Sequence, residues 1–163
     1  MRIPLPLVAF AAALAAVSCR QNHPPAPHGT PTPALASPAR EVDTAGIIAV
    51  LEAETRHFCA RDLDAWAATW SHAPYVAKLY AGRAPFREFV GWEAIRANTV
   101  AHLREHPEPI PVPATAHDYA VDVFGEAALV RYAKAGERGP VRETRLLVRE
   151  GGAWRIARME TID

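Results

Sequence analysis

Two arginines carry the sharpest chemical question in this sequence. Arg131, in Ala128-Leu129-Val130-Arg131-Tyr132, and Arg145, in Glu143-Thr144-Arg145, each stand mid-strand among apolar residues. A guanidinium taken out of water without a partner is costly, so each must find an anion. Either the two converge on one pocket and hold a carboxylate ligand there, or protein carboxylates satisfy them, with Glu143 and Glu160 available to Arg145 or Arg158. Trp66, Trp70, Tyr75 and Trp92 are the aromatics placed to wall such a pocket, and core packing explains them equally well.

Other reactive residue types fall short of a pattern. His102-Leu103-Arg104-Glu105-His106 matches the H-x-x-E-H form of inverted zinc proteases, in which two histidines at i and i+4 share a helix face. Here the helix stops at once at Pro107, no distant acidic third ligand is indicated, and histidines are favourable in a last helical turn on electrostatic grounds alone. No metal site is expected. His57 and Cys59 are two apart on a helix and point to different faces, so they do not make a nucleophile and base. Ser18 and Ser71 lack a nucleophile-elbow glycine pattern, and no glycine loop is built to cradle phosphate. Acid/base catalysis needs a carboxylate of raised pKa in an apolar cavity, beside a Tyr, His or second acid. Tyr75, Tyr80, His117, Asp118, Tyr119, Asp122 and Tyr132 supply those types, but their spacing assigns no role. No cofactor is expected.

The elements that must position these residues follow from periodicity. Ile47, Ile48, Leu51, Thr55, Phe58 and Cys59 recur at helical spacing from Ala45 to about Ala60. Arg61-Asp62 breaks that helix, and Asp62 is placed to cap a second short one carrying Leu63, Trp66, Ala67 and Trp70. Tyr75 to Tyr80 and Phe86 to Val90 read as two short strands. Glu93 to Glu105 reads as a third helix with Ile95, Thr99 and Leu103 inward, stopped by Pro107 and the alternating prolines after it. Asp118 to Phe124, Ala127 to Lys134, Val141 to Glu150 and Ala153 to Glu160 are four more strands. Short turns make neighbours antiparallel. The fold class is therefore α+β, in the order α-α-β-β-α-β-β-β-β, a strongly curved antiparallel sheet with helices on one face that encloses a cone.

The last two strands fix a register. Gly151-Gly152 supplies the positive φ angles of a tight two-residue turn, which sets Glu150 opposite Ala153, Arg149 opposite Trp154, Leu147 opposite Ile156 and Arg145 opposite Arg158. Leu147, Trp154 and Ile156 then share one face, and Leu146, Val148, Ala157 and Met159 the other. One face meets helices, and the other meets a second subunit, so a homodimer is expected.

The element order, with Ala60-Arg61-Asp62-Leu63-Asp64-Ala65-Trp66, Gly91-Trp92-Glu93-Ala94-Ile95-Arg96, Glu143-Thr144-Arg145 and Gly152-Ala153-Trp154-Arg155-Ile156, resembles the nuclear transport factor 2-like superfamily, and within it the SnoaL-like branch. The resemblance covers Asp43 to Asp163 and implies a cone fold and a dimer. It implies no single activity, since enzymes, adaptors and assembly modules share the fold. The final hairpin also resembles the association domain of calcium/calmodulin-dependent kinases. That likeness implies pocket arginines at Arg131 and Arg145 and carboxylate binding, although the chain departs from it at Thr161, where those domains carry a further Arg.

Before this domain, Met1-Arg2 and the apolar run Ile3 to Val17 have the form of a secretory signal, too short for a membrane span. Ala16-Val17-Ser18-Cys19 resembles a bacterial lipobox, which implies acylation of Cys19 and a lipid-anchored, periplasm-facing protein of the cell envelope, in the outer membrane where the cell has one. The expected organisation is a signal over 1–19, a Pro-rich extended tether over 20–44 and a SnoaL-like domain over 45–163. His23 and His28 belong to the tether. Zero formal charge leaves no electrostatic footprint for nucleic acid. Lys78 and Lys134 are the only lysines among 18 basic residues, which reads as compositional bias. The reading that best unites these features is a membrane-tethered, non-catalytic domain that binds a small organic acid. A cofactor-independent isomerase, lyase or hydrolase and a pure dimerisation module are the alternatives.

Overall fold

The computed structural model describes residues 38–82, 85–114, 117–136 and 139–162. The signal segment with Cys19, and the tether as far as residue 37, lie outside them. Helix α1 spans Pro38–Ala60 and so begins inside the stretch expected to be tether. Proline is tolerated in a first helical turn, where its missing N–H would have no partner anyway, and the Ala39-Arg40-Glu41 that follows is rich in helix formers. Arg61, at φ 65°, ends the helix. Asp62 caps α2 (Leu63–Ala67) by accepting from the Ala65 amide at 3.0 Å. Helix α3 covers Trp92–Glu105 and starts from Gly91, whose φ of 86° is glycine territory.

Six strands follow the expected order: β1 (Ala77–Ala81), β2 (Arg87–Val90), β3 (His117–Phe124), β4 (Ala127–Gly136), β5 (Gly139–Glu150) and β6 (Ala153–Ile162). They form one curled sheet in the order β2-β1-β6-β5-β4-β3. Strands joined by short turns are antiparallel, as that connection requires. The β1–β6 pair is parallel, which no short turn constrains, and it brings Lys78 opposite Met159 and Tyr80 opposite Thr161.

The turn at Gly151-Gly152, with φ of 58° and 83°, sets Glu150 against Ala153, Arg149 against Trp154 and Leu147 against Ile156 as counted from sequence. Beyond Leu147 the count fails. A bulge at Ala157 places Leu146 opposite Arg158 and Arg145 opposite Met159. One extra residue reverses the faces of everything after it. Met159 therefore joins Leu147 and Ile156 on the inner face rather than Leu146 on the outer one, and Arg158 turns outward to Glu160 at 2.6 Å. Glu143 likewise opposes Thr161, not Glu160.

The concave face buries Ala128, Val130, Leu147, Trp154 and Ile156 against Ile47 and Leu51 of α1, Trp66 of α2 and Ile95 of α3. Trp70 closes this core by an isolated parallel bridge to Ile156. The α1 start is fastened to the sheet by an ion pair between Asp43 and Arg149, whose guanidinium lies 4.8 Å from the Trp154 ring.

Candidate functional site

Alternation along β5 puts Glu143 and Arg145 on one face, and both point into the cone, 1% and 3% exposed. Arg145 Nη2 meets Glu143 Oε2 at 2.6 Å, and its Nε donates to the Tyr132 hydroxyl at 3.3 Å. That hydroxyl donates to Glu143 Oε2 at 3.5 Å. The other carboxylate oxygen accepts from Lys134 Nζ at 2.5 Å and from Thr161 Oγ1 at 3.1 Å. Burial pushes the Glu143 carboxyl upward, but Arg145 and Lys134, with hydrogen bonds from Lys134 and Thr161, outweigh it and hold the group below the usual carboxylate range. Burial raises the Tyr132 phenol far above its ordinary value, so it stays a hydroxyl. For Arg145 burial acts against the charge, and Glu143 more than offsets it.

On the β1 side of the same concave face the balance is different. Lys78 is 5% exposed, and among the described residues no carboxylate lies within ion-pair distance of it. Its ammonium sits 5.5 Å from the Tyr80 ring centroid, and the Arg87 guanidinium sits 5.3 Å from the same ring. These three residues, with Phe58 of α1 and Asn98, Thr99 and His102 of α3, line a cleft of about 240 Å³. Thr99 is 1% exposed, and its Oγ1 has no hydrogen-bond partner among the described residues. The His102 ring stacks on Phe58 at 5.5 Å and lies 4.8 Å from His106. Burial lowers the His102 pKa, and His106, Arg61 and Lys78 lower it further.

Two more clefts follow, one sharing residues with this one and the next sharing Lys134 with the second. Tyr80 and Arg87 also line a space of about 220 Å³ with Lys134 and Thr161, and Lys134 in turn lines a third, of about 210 Å³, with Leu51, Thr55, Tyr119 and Tyr132. The chain's two lysines thus face the interior of the cone. Sequence reasoning passed over both, although two lysines among sixteen arginines were visible as a departure from the chain's own habit.

The expected arginine pair does not converge. Arg131 lies on the outer face, exposed, and bonds Asp122 at 2.7 Å, while Arg145 lies inside. One residue of offset between opposed positions separates them: β4 pairs Val130 with Arg145 and Arg131 with Thr144. Trp66, Trp70 and Trp92 pack on one another, with ring centroids 5.9 and 5.7 Å apart, and fill the core rather than lining these clefts. Tyr75 is 61% exposed. His102 and His106 do come together, yet among the described residues no third potential metal ligand joins them. Cys59 is a buried free thiol, its pKa raised by burial.

No protein-family model and no curated protein sequence matches the chain. Solved structures do. A cystatin-like fold protein from Burkholderia xenovorans is 25% identical at a TM-score of 0.53, covering 72% of this chain and 88% of that one. An NTF2-like protein of unknown function from Pseudomonas putida is 20% identical at a TM-score of 0.59, covering 77% and 87%. A proposed dehydratase of the NTF2-like family from Streptomyces avermitilis is 12% identical at 0.58, covering 75% and 96%. This is the nuclear transport factor 2-like fold. On one concave face this nuclear transport factor 2-like domain carries a buried ion cluster, in which Arg145 Nη1 has no hydrogen-bond partner among the described residues, and a cleft whose Lys78 has no carboxylate within ion-pair distance among them.

The cluster makes a stability prediction. Glu143→Gln leaves Arg145 buried without its anion and should cost about 3 to 5 kcal/mol in urea unfolding, whereas replacing Glu143 and Arg145 together by leucines should cost far less. Because the folded carboxyl titrates below its unfolded value, its stabilisation is complete above the ordinary glutamate range and is lost as pH falls from that range through the lower folded value, so Glu143→Gln should also flatten the acid limb of stability against pH.

Proposed function

We propose that this chain is a ligand-binding domain of the SnoaL-like branch, and that its cone takes a small organic anion. The observation that carries the reading is Lys78, a residue only 5% exposed that lines a cleft, with no carboxylate within ion-pair distance among the described residues. Removing a charge from water costs several kcal/mol unless an opposite charge restores it. Exposed Arg87 adds a second cation and the Asn98 amide a neutral N–H donor. At about 240 Å³ the cleft is smaller than the roughly 300 to 1,000 Å³ that holds a drug-sized ligand, which suits a small acid. One charge-assisted pair, worth about 1.5 to 3 kcal/mol net, falls short of the roughly 4 kcal/mol of a millimolar complex, so burial of the acid's apolar body must supply the rest.

A carboxylate-based isomerase or lyase is the competing reading, and the Streptomyces avermitilis protein makes it relevant to this fold. It needs a buried acid free to take up a proton. Glu143 is held ionised and accepts from Arg145, Lys134, Tyr132 and Thr161, so its lone pairs are occupied by structure. That favours binding over proton transfer at this residue.

The same proposal retains the lipid anchor and the dimer. The lipobox-like Ala16-Val17-Ser18-Cys19 supports an acylated envelope protein, and the outer sheet face, with half-buried Leu129, Leu146 and Val148 and exposed Phe124, supports pairing of two copies. Cys19→Ala should block maturation and release from membranes; an intact mass showing an unmodified start beyond residue 19 would refute the anchor. Light scattering of residues 38–163 at micromolar concentration should give twice the monomer mass, and a monomer alone would refute the dimer.

For the anion, calorimetry should find acetate or butyrate binding that the matching amides lack, and Lys78→Gln should abolish it while the fold persists. Affinity should also rise with acidity. Free His102 resists protonation because of its burial and the positive charge of His106, Arg61 and Lys78, with Arg87 in the same cleft and only Glu105 opposing. A bound carboxylate relieves that field, so the complex holds a proton more readily than the free protein, and affinity for the ionised acid should tighten as pH falls through the window just below the ordinary histidine value. An affinity that falls with acidity across that window would contradict the placement.

A further inference from the structure

Thr99 raises a question that the anion reading leaves open. A threonine inside a helix usually sends its hydroxyl back to the carbonyl four residues earlier, or out to water. Here that bond to Ile95 is not made, the side chain is 1% exposed, and Oγ1 has no partner among the described residues. A buried hydroxyl without a partner has lost its hydration with nothing in return, a cost that a methyl group in its place would avoid. Thr99 lines the same cleft as Lys78. Two polar side chains, both more than nine-tenths buried, therefore line one small space, Thr99 from α3 with an unpaired hydroxyl and Lys78 from β1 with no carboxylate within ion-pair distance among the described residues.

Building on the anion reading of this cleft, we propose that Lys78 and Thr99 are the two jaws of a carboxylate clamp, and that the ligand is a small monocarboxylic acid with an apolar body. One carboxylate oxygen takes the ammonium and the other takes the hydroxyl proton. A planar, two-oxygen group satisfies the ammonium and the hydroxyl with one oxygen each, whereas a phosphate or sulfate would bring further oxygens and a larger charge, for which the cleft offers, beside Asn98 and His102, only the exposed Arg87. Charge argues the same way. A single buried ammonium balances a single negative charge, and the second cation, Arg87, is exposed at the rim, where water screens it. The body of the acid then lies against the rings of Phe58 and Tyr80. His102, on the turn of α3 next to Thr99, lies beside the clamp.

The clamp has a signature that a structural role would not produce. A residue kept for the fold destabilises when truncated, while one kept unsatisfied for a ligand stabilises the free protein when its polar group is removed. Thr99→Val keeps the shape and deletes the hydroxyl. The unliganded variant should melt at the same or a higher temperature than the native chain, while its affinity for butyrate, measured by calorimetry at pH 6, falls about tenfold; Thr99→Ser should keep the affinity. Inorganic phosphate and succinate should bind the native chain more weakly than butyrate. If Thr99→Val melts lower and binds butyrate as the native chain does, the hydroxyl is structural and the clamp is wrong, although the anion site at Lys78 stands. If phosphate or succinate binds more tightly than butyrate, the monocarboxylate assignment is wrong. If the native chain binds none of the three, the clamp and the anion reading fall together.

Discussion

The ion pair between Glu143 and Arg145 is the constraint around which the cone is arranged. A buried charge pair contributes little by itself, because the desolvation of two ions roughly cancels their attraction. What it does is dictate its surroundings. Once β5 turns both charges inward, the neighbouring strands must supply donors, and they do: Tyr132 and Lys134 from β4 and Thr161 from β6. Thr161 reaches Glu143 only because the bulge at Ala157 resets the register of β6. The two features are therefore one requirement, with the bulge keeping Arg158 out of a site that already holds a guanidinium.

Against that closed cluster, the β1 side of the cone stands out. Lys134 and Lys78 are both inward lysines, but one has Glu143 and the other faces an aromatic ring and a cleft. Lysine is a compact, strongly hydrated charge that loses more on burial than arginine does, so its use here in place of the arginine favoured elsewhere in the chain marks positions where a point charge on a flexible stem is wanted. Tyr80, between Lys78 and Arg87, lessens the repulsion of the two cations through its ring face without neutralising either. Among the described residues, Lys78 has no carboxylate within ion-pair distance.

Much of this architecture was legible in the sequence because it depends on local signals. Asp62 as a cap, the glycine turn at Gly151-Gly152, the proline stop after Glu105 and the order of nine elements all follow from residue types acting over a few positions. The register was readable as far as Leu147 and no further, since a bulge adds one residue without any obligatory sequence mark; Arg-Ile-Ala-Arg-Met reads as an ordinary strand. The misplacement of Arg131 has a related origin. Mid-strand arginines among apolar residues look alike on either face, and only the pairing of Val130 with Arg145 tells which is inside. Lys78 and Thr99 were hidden for a different reason. Their importance lies in what they do not touch, and the absence of a partner is a property of three-dimensional surroundings.

The parallel pairing of β1 with β6 has a kinetic meaning as well. Strand β6 lies in the middle of the sheet, between β1 and β5, yet it is the last strand along the chain. The β1–β2 hairpin gains its place beside β5 and β4 only through β6, by contacts that join Lys78 to Met159 across most of the domain's length. Such distant contacts close slowly, because the loop entropy must be overcome before any of them forms. During synthesis the first hairpin and the Lys78 wall would wait, unpaired at one edge, until β6 had left the ribosome. A chain interrupted before β6 would leave β1 with an open strand edge instead of a continuous sheet.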